Sequence, residues 1–278
     1  MSVAKNPKAF TLIELLVVVG IIALLVGIMV PAVQNAMNIA TDGVVKTQFH
    51  AIGVGAEMFK QDSLAGRGQY PDSLYDSPAT VPVEEIPGYV ALGIQLVGRD
   101  RRGYDVADLY DGTNAEIRRE PYIKLETTDI VDISGSSNAY EMEPVLLCKW
   151  GQPILYFRAA PGSTVRDEIV SIYEPRDNLD DLASISQADQ ENYWAVYHTS
   201  ANDLLLDSSN ASVINPPGGN YDYGTGNYGN FYNSIINPQM PLDSGSESPS
   251  PYNVDGFILI SAGKDERFGT SDDVTNFQ

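Results

Sequence analysis

An apolar run fills residues 10–33 and is broken by a single charge, Glu14. At ~1.5 Å rise per residue, a helix of about 24 residues extends ~36 Å, enough to cross a hydrocarbon core of ~30 Å. Past Pro31 the pattern changes. Met37, Ala40, Val44, Ile52, Ala56 and Phe59 recur at helical spacing, with Asp42, Lys46, Gln48 and Glu57 among them. That is the signature of an amphipathic face. The two patterns predict one helix over 10–61. Its first half sits in a membrane and its second half lies under a soluble head, ending before Gly66 and Gly68.

Beyond the helix, short apolar stretches alternate with Gly, Pro and Asp. Residues 90–97 and 122–125 read as strands. Residues 145–150 and 154–157 flank Gly151-Gln152-Pro153, which is a hairpin signal. A helical piece is expected over 179–198, a Gly/Asn/Tyr-rich loop over 216–233, and more loop over 238–251. Phe257-Ile258-Leu259-Ile260 reads as a buried strand running into an acidic loop. The expected class is α+β: a long N-terminal helix packed on a small antiparallel sheet, with large loop insertions.

Charge and chemistry narrow the function. The chain has 37 acidic and 17 basic residues, a net charge of -20. Such a surface repels phosphate backbones, so nucleic acid is not an expected partner. Cys148 is the only cysteine, so no intrachain disulfide can form, and its apolar neighbours predict a buried thiol. His50 and His198 are too far apart in sequence to suggest a histidine-based metal site. Residues 224–229 match G-x-G-x-x-G, but no apolar strand enters the match and no helix pattern leaves it, as a dinucleotide site requires. Neither a G-x-S-x-G elbow nor an H-E-x-x-H helix is present. No enzyme activity is expected.

Lys5 and Lys8 precede the apolar run and the acidic bulk follows it, which puts the N-terminus in the cytoplasm and the rest outside. A secretory signal peptide also begins this way. Here the run is longer than usual, and Gln34-Asn35-Ala36, the nearest cleavage candidate, puts a large polar residue where a small one is wanted. A carboxylate inside an apolar helix costs roughly 2.5–3.5 kcal/mol near the bilayer centre. Glu14 could avoid that cost by reaching the cytoplasmic headgroups.

Lys8-Ala9-Phe10-Thr11-Leu12-Ile13-Glu14 resembles the cleavage and methylation motif of type IV prepilins and pseudopilins. The resemblance implies a cut by prepilin peptidase between Ala9 and Phe10, methylation of Phe10, and a filament role for Glu14. In that family the glutamate neutralises the N-terminal amine of a neighbouring subunit. Pro31 falls at the family's helix-breaking position. Ala9 departs from the usual Gly, so slower processing is expected. The Tyr70-Pro71 pair and the Trp150-Gly151-Gln152-Pro153 turn also resemble pseudopilin patterns.

Asp265, Asp272 and Asp273 fall within nine residues. Carboxylates so close could wrap a hard cation, or they could form a solvated acidic turn. The segment resembles the calcium-binding end of major pseudopilins, which implies calcium held by Asp265, Thr270, Asp272 and Asp273. Glu266 stands where that family often has Gly.

The resemblance thus implies a pilin fold divided as follows. Residues 1–9 are a leader, 10–33 the transmembrane and polymerisation helix, and 34–63 its amphipathic continuation. Residues 64–278 form a periplasmic head with an insertion at about 158–251. The implied function is a structural subunit of a type II secretion pseudopilus in the bacterial inner membrane, spanning it once. Its implied partners are itself, minor pseudopilins, the prepilin peptidase, the inner-membrane assembly platform and membrane lipid. A type IV or competence pilin is the alternative, and a membrane-anchored periplasmic enzyme or binding protein a more distant one.

Overall fold

The computed structural model describes residues 11–73, 75–76, 85–104, 119–124, 129–133, 142–160, 172–173, 178, 235, 237, 251–268 and 270–277. Helix α1 (Leu12–Gln61) is continuous; of the helix predicted over 10–61, Phe10 lies outside the described residues and Thr11 precedes the first turn. The chain divides into two compact units, Met1–Gly43 and Val44–Gln278. In the first unit the large apolar side chains of α1 are exposed all round the helix, from Leu12 through Val33. In the second unit α1 buries Val45, Gln48, Phe49, Ile52, Gly55, Ala56 and Phe59. Steps of one, three and four place these on one stripe, which faces the core.

The end of α1 is fixed by its own backbone and by one carboxylate. The Phe59 and Lys60 carbonyls accept the Gly66 and Gly68 N–H groups at 3.1 and 2.9 Å. This satisfies acceptors that a helix end would otherwise leave open. Asp62 accepts the Leu64 and Ala65 N–H groups at 2.8 and 3.2 Å. It also pairs with Arg119 Nε at 2.7 Å and accepts the Tyr122 hydroxyl at 3.2 Å. Burial pushes the Asp62 carboxyl up, but these donors outweigh it and hold it below its ordinary value.

The second unit builds its sheets from short antiparallel pairs. β1 (Tyr75–Asp76) pairs with β2 (Glu85–Ile86), and β3 (Ile130–Asp132) with β4 (Pro144–Leu146). β5 (Leu155–Arg158), β6 (Phe257–Ser261) and β7 (Val274–Thr275) form a sheet in that order, with Tyr156 opposite Leu259. Strand alternation splits the core in two. Leu155, Phe157, Ile258 and Ile260 belong to one cluster, whereas Tyr156 and Leu259 join Val45, Phe49, Ile52 and Phe59 of α1 in the other. Both faces of β5 and β6 are covered, so these strands read as continuous apolar runs rather than alternating ones.

Residues 90–97 are not a strand. They lie in helix α2 (Gly88–Val97), whose ten residues are all buried. A helix covered on every side shows no amphipathic period, so a short apolar run cannot be told from a buried strand. Gly93 lets α2 lie directly on β4, because a Cβ there would overlap the Pro144 carbonyl. Residues 122–124 are not a strand either. Tyr122 donates its N–H to the Leu96 carbonyl at 2.8 Å and packs edge-on against Phe59, which spends its aromatic ring on the helix end. Leu125 lies outside the described residues, as do the expected helix at 179–198 and the loops at 216–233 and 238–250.

The expected hairpin forms only at its tip. Cys148 and Gln152 close the turn with a 2.8 Å N–H···O bond, and Leu147 bridges Pro153. The arms then part, β4 going to β3 and β5 to β6. Cys148 is buried, as its neighbours implied. The Tyr70-Pro71 segment is tied down at several points. Tyr156 donates its hydroxyl to the Pro71 carbonyl at 2.7 Å, the buried Gln95 amide brackets Asp72, and Arg158 pairs with Asp72 at 2.5 Å.

Candidate functional site

Two places gather the residues singled out from the sequence. The first is the start of α1. The Thr11 hydroxyl accepts the Glu14 N–H at 3.3 Å, while the Thr11 N–H and hydroxyl donate to Glu14 Oε2 at 2.9 and 2.8 Å. This reciprocal pair is a capping box, and it satisfies donors that the first turn leaves open. The Thr-x-x-Glu spacing was there to read at residues 11–14. Glu14 itself is exposed. Ala9 and Phe10 lie outside the described residues.

Downstream, the large apolar side chains from Leu12 through Val33 are all exposed. An apolar surface on every side of a helix is stable only in lipid or against other apolar helices. The described helix is therefore long and apolar enough to cross a membrane. Pro31 sits inside α1 without interrupting it. It lacks the N–H that would bond the Gly27 carbonyl, so the ladder is one bond short at that turn.

The second place is the loop after β6. Thr270 donates its hydroxyl to Asp272 Oδ1 at 2.6 Å and lies 3.5 Å from Asp273 Oδ1. Asp272 Oδ2 accepts the Asp265 N–H at 3.2 Å, and Asp265 Oδ1 accepts the Arg267 N–H at 2.9 Å. The structure thus brings Thr270, Asp272 and Asp273 together and ties Asp265 to them through its backbone. Partial burial pushes the Asp272 carboxyl up, but the Thr270 hydroxyl and the Asp265 N–H hold it below its ordinary value. Gly263 is needed here, since a Cβ would run into the backbone of Asp272. Glu266 adopts φ 58°, the left-handed region. The turn that favours glycine is therefore kept with a glutamate in it. Among the described residues no three His, Cys, Asp or Glu side chains form a group that could hold a metal.

Neither a curated protein nor a solved structure matches the chain. Residues 4–30 match the family model described as the prokaryotic N-terminal methylation motif. The match covers the capping box and most of the exposed apolar helix, and it supports a type IV pilin-like, prepilin-processed chain with a membrane anchor.

Proposed function

We propose that this chain is a structural subunit of a type II secretion-type pseudopilus rather than an enzyme. The observation that carries the reading is the exposed apolar half of α1, with one carboxylate near its start and the methylation motif over the same residues. Prepilin peptidase cuts between Ala9 and Phe10, and Phe10 is methylated. The head stands in the periplasm and the chain crosses the inner membrane once. On assembly the apolar helices exchange lipid for one another. Glu14 then meets the new N-terminal amine of a neighbour, so two opposite charges share a site that tolerates neither alone. The break in the helix ladder at Pro31 gives the packed helix a place to loosen.

The test is Glu14→Leu. The helix becomes more apolar, so membrane residence persists, while crosslinking between subunits falls. Unchanged filament yield would assign Glu14 to helix capping or to the headgroups instead.

A calcium-binding C-terminal loop favours the major-pseudopilin branch over a surface or competence pilin. Asp265, Thr270, Asp272 and Asp273 would supply oxygen ligands, and the cation would offset the repulsion among the carboxylates. Calcium should raise the melting temperature of the head and chelator should lower it. Asp265→Ala with Asp273→Ala should remove the response. Equal melting of wild type and double variant under both conditions would reduce the loop to a solvated turn.

A further inference from the structure

A cavity of about 460 Å³ opens in the second unit, beside the turn that leads into β6. Tyr70, Tyr252 and Phe257 supply its aromatic walls, and Asn253, Asp255 and Asn276 its polar ones. No described lysine or arginine lines it. An apolar wall with a few convergent polar groups is the usual make-up of a small-molecule site. The turn is held before any ligand arrives. The Tyr173 hydroxyl lies within hydrogen-bond reach of the Tyr252 and Asn253 carbonyls. The Gly256 N–H donates to the Asn253 carbonyl at 2.8 Å. The Asn253 and Asn276 amides donate to the Phe257 carbonyl at 3.2 and 3.4 Å. Phe277 stacks on Tyr252 with ring centroids 4.6 Å apart, and Phe257 meets Tyr70 edge-on. Fixed walls spare a ligand the entropy of ordering them.

The groups left over select the ligand. Asn253 and Asp255 are exposed, and neither the Asn253 side-chain oxygen nor the Asp255 carboxylate accepts a hydrogen bond from a described residue. Both are acceptors, so they suit a ligand that donates. An anion is repelled by Asp255 and meets no cationic side chain in the lining. An organic cation is drawn to Asp255, but Tyr70 already carries the Lys60 ammonium 3.9 Å from its ring centre, which opposes a second positive charge there. A purely apolar molecule would strip water from the amides and the carboxylate without replacing its hydrogen bonds. A sugar ring meets both kinds of wall. Its C–H face packs on an aromatic ring, and its hydroxyls donate to the oxygens around it.

We infer that this cavity binds a neutral pyranose sugar, with the Tyr252 ring against its C–H face and Asn253 and Asp255 accepting its hydroxyls. The inference is independent of the assembly reading above.

The full chain in lipid nanodiscs tests it, with cellobiose, maltose and chitobiose as probes and saturation-transfer NMR as the readout. At least one disaccharide should receive transfer at its ring C–H protons, and empty nanodiscs should give none. Asp255→Ala should weaken that binding severalfold without moving the melting temperature of the head, because the side chain is exposed. Tyr252→Ala should abolish the transfer and Tyr252→Phe should keep it. Glu120→Ala, outside the cavity, should leave it unchanged. Transfer to none of the disaccharides overturns the inference, as does transfer that survives both Asp255→Ala and Tyr252→Ala. Tighter binding of tetramethylammonium or inorganic phosphate than of any disaccharide also overturns it and would assign the cavity to an ion.

Discussion

Helix α1 carries two surfaces that want different surroundings. Toward its start Leu12, Leu24 and Leu25 are 81%, 65% and 60% exposed. Toward its end Val45, Ile52 and Ala56 are fully buried. Both stretches are apolar and both are helical, so local propensity does not separate them. What differs is the arrangement. The later stretch sets Val45, Phe49, Ile52, Ala56 and Phe59 on one stripe, so packing within the chain covers them and stabilises that half. The earlier stretch spreads its apolar side chains round the helix, and no described residue of its own unit covers them. Such a surface is stable in lipid or against other apolar helices. The apolar count alone would miss this; the periodicity shows which half is built for the core and which for a partner.

Substitutions should therefore act on different readouts in the two halves. The largest effect is expected at Phe49, which is buried among α1, α2 and the sheet. Phe49→Ala should cost about 3–5 kcal/mol, measured by thermal melting of the detergent-solubilised chain followed by head fluorescence. A loss under about 1 kcal/mol would mean that the second half of α1 is not part of the core.

Calcium comes next, acting on the second unit alone. A ligand of the folded state adds about 2.7 kcal/mol at a hundredfold excess over Kd. Millimolar calcium should raise the head transition while leaving helix content of the apolar half in detergent unchanged. Magnesium should do less, because a loop of this kind does not easily supply its strict octahedron.

Asp62→Asn should cost about 1–3 kcal/mol near neutral pH, since it removes the charge that Arg119 faces. The pH dependence has a definite sign. The Asp62 carboxyl is held below its ordinary value of 3.8 in the folded chain. Its contribution is therefore complete above that value and is lost as pH falls through the lower folded value. Wild type and variant should converge in stability as acid is added. A gap that stays constant down to strongly acidic pH would show that the ion pair contributes little.

The smallest effect is expected at Leu24. Leu24→Ala should leave the head transition unmoved, because the side chain is exposed in the first unit. A shift comparable to that of Phe49→Ala would erase the distinction between the halves.

Much of this was readable from residue order. The helix over 10–61 was legible because fifty residues give a pattern many turns to repeat. Strand β6 was legible because Phe257-Ile258-Leu259-Ile260 is short, β-branched or aromatic in part, and followed by a glycine-containing loop. Helix α2 was not legible. Burial on all sides removes the polar positions that would reveal its period, and its length fits a strand as well. The parting of β4 and β5 was also hidden, because a turn dictates that two arms meet, not how far they stay paired. At the candidate sites, the residue types and their nearness in sequence were visible. The Glu14 cap was visible too, in the Thr-x-x-Glu spacing of residues 11–14.

The central claim is that the chain is processed at the start of its apolar helix and retained in the membrane as a polymerising subunit. The most direct measurement is the intact mass and N-terminal peptide of the protein extracted from membranes of its own host. The account predicts a mature chain that begins at N-methylated Phe10 and keeps all of α1. A membrane-extracted chain beginning at Met1 or Ser2, or one cut after the apolar run, would contradict it.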